Sequence, residues 1–138
     1  MTRVTLPLRL VSEANARGSW HGGASRAASQ RKAVTQALRG QPEHPALPVT
    51  VRIVRAAPRA LDDDNLARSA KAVRDAVASW LGVDDRDPRV SWVYAQRRAT
   101  TYAVEVEVSP RSWWIEHGPD VSVLHLSGDH HGLRVERA

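Results

Sequence analysis

The segment from Asn65 to Leu81 constrains the chain more than any other, because its apolar residues follow a helical period. On a wheel of 100° per residue, Leu66, Ala70, Val73, Val77, Trp80 and Leu81 fall within about 60° of one direction. Gly82 follows, the residue type that closes helices. Such a stripe must be buried against a second layer. On the opposite side Asp64, Arg68, Lys71 and Asp75 gather within about 40°. A plain account of that polar stripe exists: alternating charges on an exposed helix face gain about 0.2–0.5 kcal/mol per i,i+4 pair and need no function.

The second layer is supplied by segments of period two. Val4, Leu6, Leu8 and Leu10 alternate with Thr5, Pro7 and Arg9, a strand whose proline marks a sheet edge. Residues 11 to 24 are small and polar and read as a loop, after which Ser25 or Ser29 opens a helix running to about Leu38. Val49, Val51 and Ile53 define a second strand that Pro58 ends. Val90 to Gln96 and Tyr102 to Val108 are two more, joined by Arg97-Arg98-Ala99-Thr100. In the last, Val104, Val106 and Val108 alternate with Glu105 and Glu107, which predicts one wet face. This order implies an α+β fold: a two-layer domain over 1–110, a mixed β-sheet with two main helices packed on it. Residues 111–138 form a C-terminal extension, in which Trp113-Trp114-Ile115 and the alternating Val121, Val123, His125 add a strand or pack as an arm.

A chain of 138 residues can bury a sizeable core without cross-links, and the absence of cysteine excludes disulfides and thiolate zinc sites. No apolar run approaches the roughly 20 residues a membrane helix needs. The first ten residues carry prolines and arginines instead of the apolar core of a signal peptide, so a cytoplasmic location is expected. The net charge is +5, and Lys32 and Lys71 are the only lysines. Arginine-favouring codon usage accounts for that bias; so does phosphate recognition, for which the guanidinium fork is suited.

Capping a helix needs one aspartate, yet Asp62, Asp63 and Asp64 stand together at the strand-to-helix junction. The helix dipole offsets only about 0.3–1 kcal/mol of repulsion per charge. A second acidic group, Asp84, Asp85 and Asp87, follows Gly82. The intervening helix is about 25 Å long, so the two groups meet only if the later loop returns along it or a neighbouring strand carries it there. Carboxylates gathered this way suit Mg²⁺, which takes one or two of them together with waters and substrate phosphate. Such an ion activates water and stabilises charge on a phosphodiester, with Lys71 placed to sit against the phosphate. A calcium loop of the EF-hand type is excluded: starting at Asp62 it meets Leu66, Ala67 and Val73 where it needs an Asp or Asn, a Gly and a Glu.

Leu61-Asp62-Asp63-Asp64-Asn65-Leu66, followed by Lys71, Asp75 and Gly82-Val83-Asp84-Asp85-Arg86-Asp87-Pro88-Arg89-Val90, resembles the RusA family of Holliday junction resolvases. Val4-Thr5-Leu6-Pro7 and Asn15 resemble that family's opening strand and loop, and the likeness covers about residues 1 to 108. It implies a small homodimeric Mg²⁺-dependent endonuclease, with Mn²⁺ as a substitute, that makes paired cuts across four-way DNA junctions, often of phage or prophage origin. It also implies roles: Asp62 and Asp64 as metal ligands, Lys71 as the essential lysine, Asp75 as the helix acid, and Asp85 or Asp87 as the acid completing the site. Counting back from Val90 selects Asp87. The interval before Lys71 is longer than the family's, which places Arg68 near the family's lysine spacing. Arg59, Arg97 and Arg98 flank the proposed site as candidate DNA contacts.

Two further readings stand beside this one: a non-catalytic protein of the same fold that binds branched DNA, and an interaction domain whose acids merely cap a helix. With no phenylalanine in the chain, Trp80 and Trp92 are expected to fill the core. One of Trp113 and Trp114 should be exposed, as at a dimer contact. His117, His125, His130 and His131 with Asp129 lack metal-ligand spacing and read as a solvated tail.

Overall fold

The computed structural model describes residues 1–12, 20–112, 125–126 and 135–137. In chain order these form β1 (Thr2–Leu6), α1 (Trp20–Arg39), β2 (Val49–Ala57), α2 (Asp63–Ser69), α3 (Lys71–Leu81), β3 (Val90–Arg98), β4 (Ala103–Pro110), β5 (His125–Leu126) and β6 (Val135–Arg137). The fold is α+β, as the alternation of periods predicts.

The sheet runs β1-β4-β2-β3. Its single long parallel pair is β2 with β3, in register from Val49 opposite Val90 to Ala57 opposite Arg98. Parallel neighbours require a crossover, and α2 with α3 supplies it. β4 pairs antiparallel with both β2 and β1. Pro7, which has no N–H to donate, ends β1 at the sheet edge. The C-terminal extension contributes β5, antiparallel to β3, and β6, parallel to it. Because β2 occupies the other side of β3, both short strands share its outer edge.

One sheet face meets the helices. Val51, Ile53, Trp92, Tyr94, Val104 and Val106 pack with Leu66, Val73, Val77 and Leu81 of the crossover and with Val34 and Leu38 of α1. Each such side chain, fully buried, is worth about 1.5–3 kcal/mol. Trp92 is in this core; Trp80 packs at its margin, its ring 5.2 Å from that of His44.

Three expectations are corrected. The helix from Asn65 to Leu81 is two helices, broken at Ala70 (φ −94°, ψ 2°). Ser69 Oγ donates to the Leu66 carbonyl at 2.7 Å, and the Ala70 amide reaches back only three residues, to Ala67. Side-chain back-bonding of this kind bends helices. The apolar stripe survives the break, since Leu66, Ala70, Val73, Val77 and Leu81 are all buried. Secondly, α1 begins at Trp20, not at Ser25 or Ser29. Gly22 and Gly23 each cost the helix roughly 1 kcal/mol, yet α1 continues through them.

Thirdly, the glutamate face of β4 is not wet: Glu107 is 4% exposed. Val54, Val93 and Ala95, on the same side of the sheet, are buried as well. Burial of a carboxylate is tolerable because Arg3 donates to Glu107 Oε2 from Nη2 at 2.6 Å and from Nε at 3.2 Å. This pairing raises the Arg3 pKa above the usual arginine value. No helix among the described residues is long and apolar enough to cross a membrane.

Candidate functional site

Parallel pairing brings the C-terminal ends of β2 and β3 side by side, the position at which open α/β sheets place ligands. Two amide bonds lock the connection there: Leu61 N donates to Gln96 Oε1 (2.9 Å) and Gln96 Nε2 donates to the Leu61 carbonyl (2.7 Å). Leu61 immediately precedes the three aspartates, so the end of β3 fixes where they start.

Asp62 is the N-cap of α2, its Oδ1 accepting from the Asn65 amide at 2.9 Å. Asp63 and Asp64 occupy the first turn. Asp62 and Asp64 are exposed. Beside Asp62 opens a cavity of about 540 Å³, lined by that residue and by Arg55, Arg59, Arg97 and Arg98 among others. The structure therefore brings the three arginines singled out from sequence together with the first acid of the motif.

A second recess of about 300 Å³ lies past the other end of α2, where Arg68, Lys71 and Asp85 meet Arg74 and Tyr94. Lys71 Nζ lies 3.3 Å from Asp75 Oδ2, an exposed i,i+4 pair. Asp85 is held from several sides. Its carbonyl accepts from Arg74 Nη2 and from Trp92 Nε1, each at 3.0 Å. Its carboxylate Oδ2 lies 3.2 Å from Arg74 Nε, an ion pair without the alignment of a hydrogen bond. Arg74, 6% exposed, also donates to the Tyr94 hydroxyl at 3.0 Å and stacks 4.9 Å from the Trp92 ring centre. Burial pushes the Tyr94 hydroxyl pKa up.

Asp87 is committed to the turn that feeds β3. Its Oδ1 accepts from the Arg89 amide (2.9 Å) and Nε (3.0 Å), and its Oδ2 from Arg89 Nη2 (2.8 Å). These bonds hold its carboxyl at about 2, down from 3.8. Asp84 accepts from the Arg86 amide at 2.9 Å, which lowers its pKa as well. The Asp87 bond contributes stability that is present above the unfolded value of 3.8 and is lost as pH falls through about 2. A carbon-detected titration of the Asp87 carboxyl is expected to show a midpoint near 2 in the wild type and one raised part of the way towards 3.8 in Arg89→Gln, which loses the side-chain bonds and keeps the main-chain one.

Among the described residues, no three carboxylates or histidines gather into a metal-binding group. The ligand set Asp62, Asp64 and Asp87 is not brought together, since both Asp87 oxygens face Arg89. Asp62 and Asp64 fit a more sparing Mg²⁺ site, because that ion commonly takes two carboxylates or fewer from the protein and fills its sphere with water and phosphate. Asp62 keeps Oδ2 clear of the cap bond, which uses Oδ1. The Trp113-Trp114 pair, Asn15, Val121, Val123, His117, Asp129, His130 and His131 lie outside the described residues.

Two residues of these sites escaped the pattern reading. Arg55 sits on the inward phase of β2, after Val49, Val51 and Ile53, and Arg74 lies only about 80° from Leu66 on the wheel, at the border of the core stripe. An arginine on an inward phase is the signal in both cases. No protein-family model matches this chain, and no curated protein matches it.

Proposed function

We propose that the chain is a Mg²⁺-dependent, structure-selective DNA endonuclease of the RusA type, acting as a homodimer on four-way junctions. One observation carries this reading: Asp62 shares its cavity with Arg55, Arg59, Arg97 and Arg98, so a carboxylate for a metal ion lies among donors for phosphate. Mg²⁺ held at Asp62 and Asp64 would supply a Lewis acid for the phosphodiester and lower the pKa of a bound water. The arginines bind and orient the strand, since each guanidinium can meet a phosphate with two donors. Lys71 is available to the phosphate because an exposed i,i+4 pair such as Lys71–Asp75 is worth only about 0.3–0.5 kcal/mol, which an incoming phosphate outweighs. Two symmetric cuts need two sites, and a dimer provides them about a dyad.

A second reading, a branched-DNA-binding protein that does not cut, is favoured by the commitment of Asp85 to Arg74 and of Asp87 to Arg89. The two separate on a synthetic four-way junction incubated with and without Mg²⁺. Paired nicks that require the ion support the nuclease; a retarded but intact junction supports the binder; indifference to DNA at low salt refutes both.

A further inference from the structure

Arg55 is 5% exposed, yet its bonds go to neutral main-chain carbonyls and not to a carboxylate. Nε donates to the Leu10 carbonyl at 2.9 Å and Nη1 to the Arg59 carbonyl at 2.7 Å. Among the described residues no carboxylate forms a salt bridge with it. Arg9, which stacks 4.6 Å from the Tyr102 ring centre, adds like charge nearby. Burial and Arg9 both depress the Arg55 pKa. A buried cation is costly unless an anion accompanies it. Here the guanidinium lines the cavity between the ends of β2 and β3, where Arg59, Arg97 and Arg98 add positive charge against the single carboxylate of Asp62. A space of about 540 Å³ is of ligand size, larger than a lone ion requires.

We infer that this cavity is a phosphate pocket, in which Arg55, preset by its two carbonyl bonds, receives a phosphoryl oxygen of a nucleic-acid strand while Arg59, Arg97 and Arg98 close around the group. The two carbonyl bonds fix the fork before the anion arrives, so little side-chain entropy is lost on binding. The assignment adds a specific anion site to the proposed function and rests on its nucleic-acid reading, but it requires neither Mg²⁺ nor cleavage.

The test is ³¹P line broadening of inorganic phosphate by the full chain, against a chloride control at matched ionic strength and without divalent metal. Wild type should bind, and Arg55→Gln should weaken binding about tenfold or more, since a charge-assisted bond is lost. Arg55 also ties down the loop before α2, so the exposed pair Arg97→Gln with Arg98→Gln provides a variant whose fold is not at stake; it should lose a similar factor. Phosphate affinity unchanged in that double variant, or no binding by wild type above the chloride control, overturns the pocket. Two parallel arms identify the source: a dinucleotide without terminal phosphate competing best assigns the site to an internal phosphodiester, and a 5′-mononucleotide competing best assigns it to a strand end. Phosphate binding without junction cleavage would sink the nuclease reading and leave the pocket standing.

Discussion

If the proposed function holds, Asp62→Asn and Asp64→Asn, made separately, should each lower Mg²⁺-dependent junction cleavage about a hundredfold or more, because several kcal/mol of transition-state stabilisation would pass through the ion they are proposed to hold. Folding should be untouched. Asparagine caps a helix about as well as aspartate, so the bond from Asp62 to the Asn65 amide has a substitute in the first variant. In the second, an exposed first-turn charge is removed, a change of a few tenths of a kcal/mol. Junction affinity, measured by gel retardation, should hold or rise as negative charge leaves the surface proposed to face DNA. Wild-type cleavage rates in either variant would remove that aspartate from the mechanism.

Arg74→Met should be the most damaging single change to stability in this region, costing about 2–4 kcal/mol. The replacement fills much of the same volume but leaves the Tyr94 hydroxyl without its bond and the Asp85 carboxylate facing an apolar wall. It also removes one of the two donors to the Asp85 carbonyl, which loosens the loop after α3. Asp85→Asn should cost less, because that carboxylate is 31% exposed and its main-chain bonds remain. Urea unfolding with both single variants and the double reads the coupling directly. A loss below about 0.5 kcal/mol for Arg74→Met, the range of ordinary surface changes, would refute its role as the anchor of this loop.

The elements that follow a single period were legible before any coordinates. β2, β3, β4 and the buried stripe from Leu66 to Leu81 all come from alternation or from a helical repeat, and all lie in the core. What escaped was governed by side-chain bonding at one position. Nothing in periodicity shows that Ser69 bonds back to Leu66 and parts α2 from α3. Nor could alternation alone show that Glu107, apparently on a solvent face, is buried against Arg3. At the site, the Asp62 motif and its three flanking arginines were readable because residue type and place in the chain coincide with a strand end. Asp85 and Asp87 were ambiguous for a chemical reason: the same carboxylate oxygens serve equally as metal ligands, turn acceptors or ion-pair partners, and only geometry distinguishes these uses.

β5 and β6 have a consequence for how this protein keeps company with other polypeptides. By occupying the rim of β3 with its own chain, the molecule withdraws one row of unpaired amides and carbonyls from intermolecular ladder growth. Of the rows left open, that of β1 is five residues long, carries Arg3 and is stopped by proline, and β5 and β6, of two and three residues, leave only short outer rims of their own. Short, charged, proline-ended rims are poor templates for fibril-like stacking.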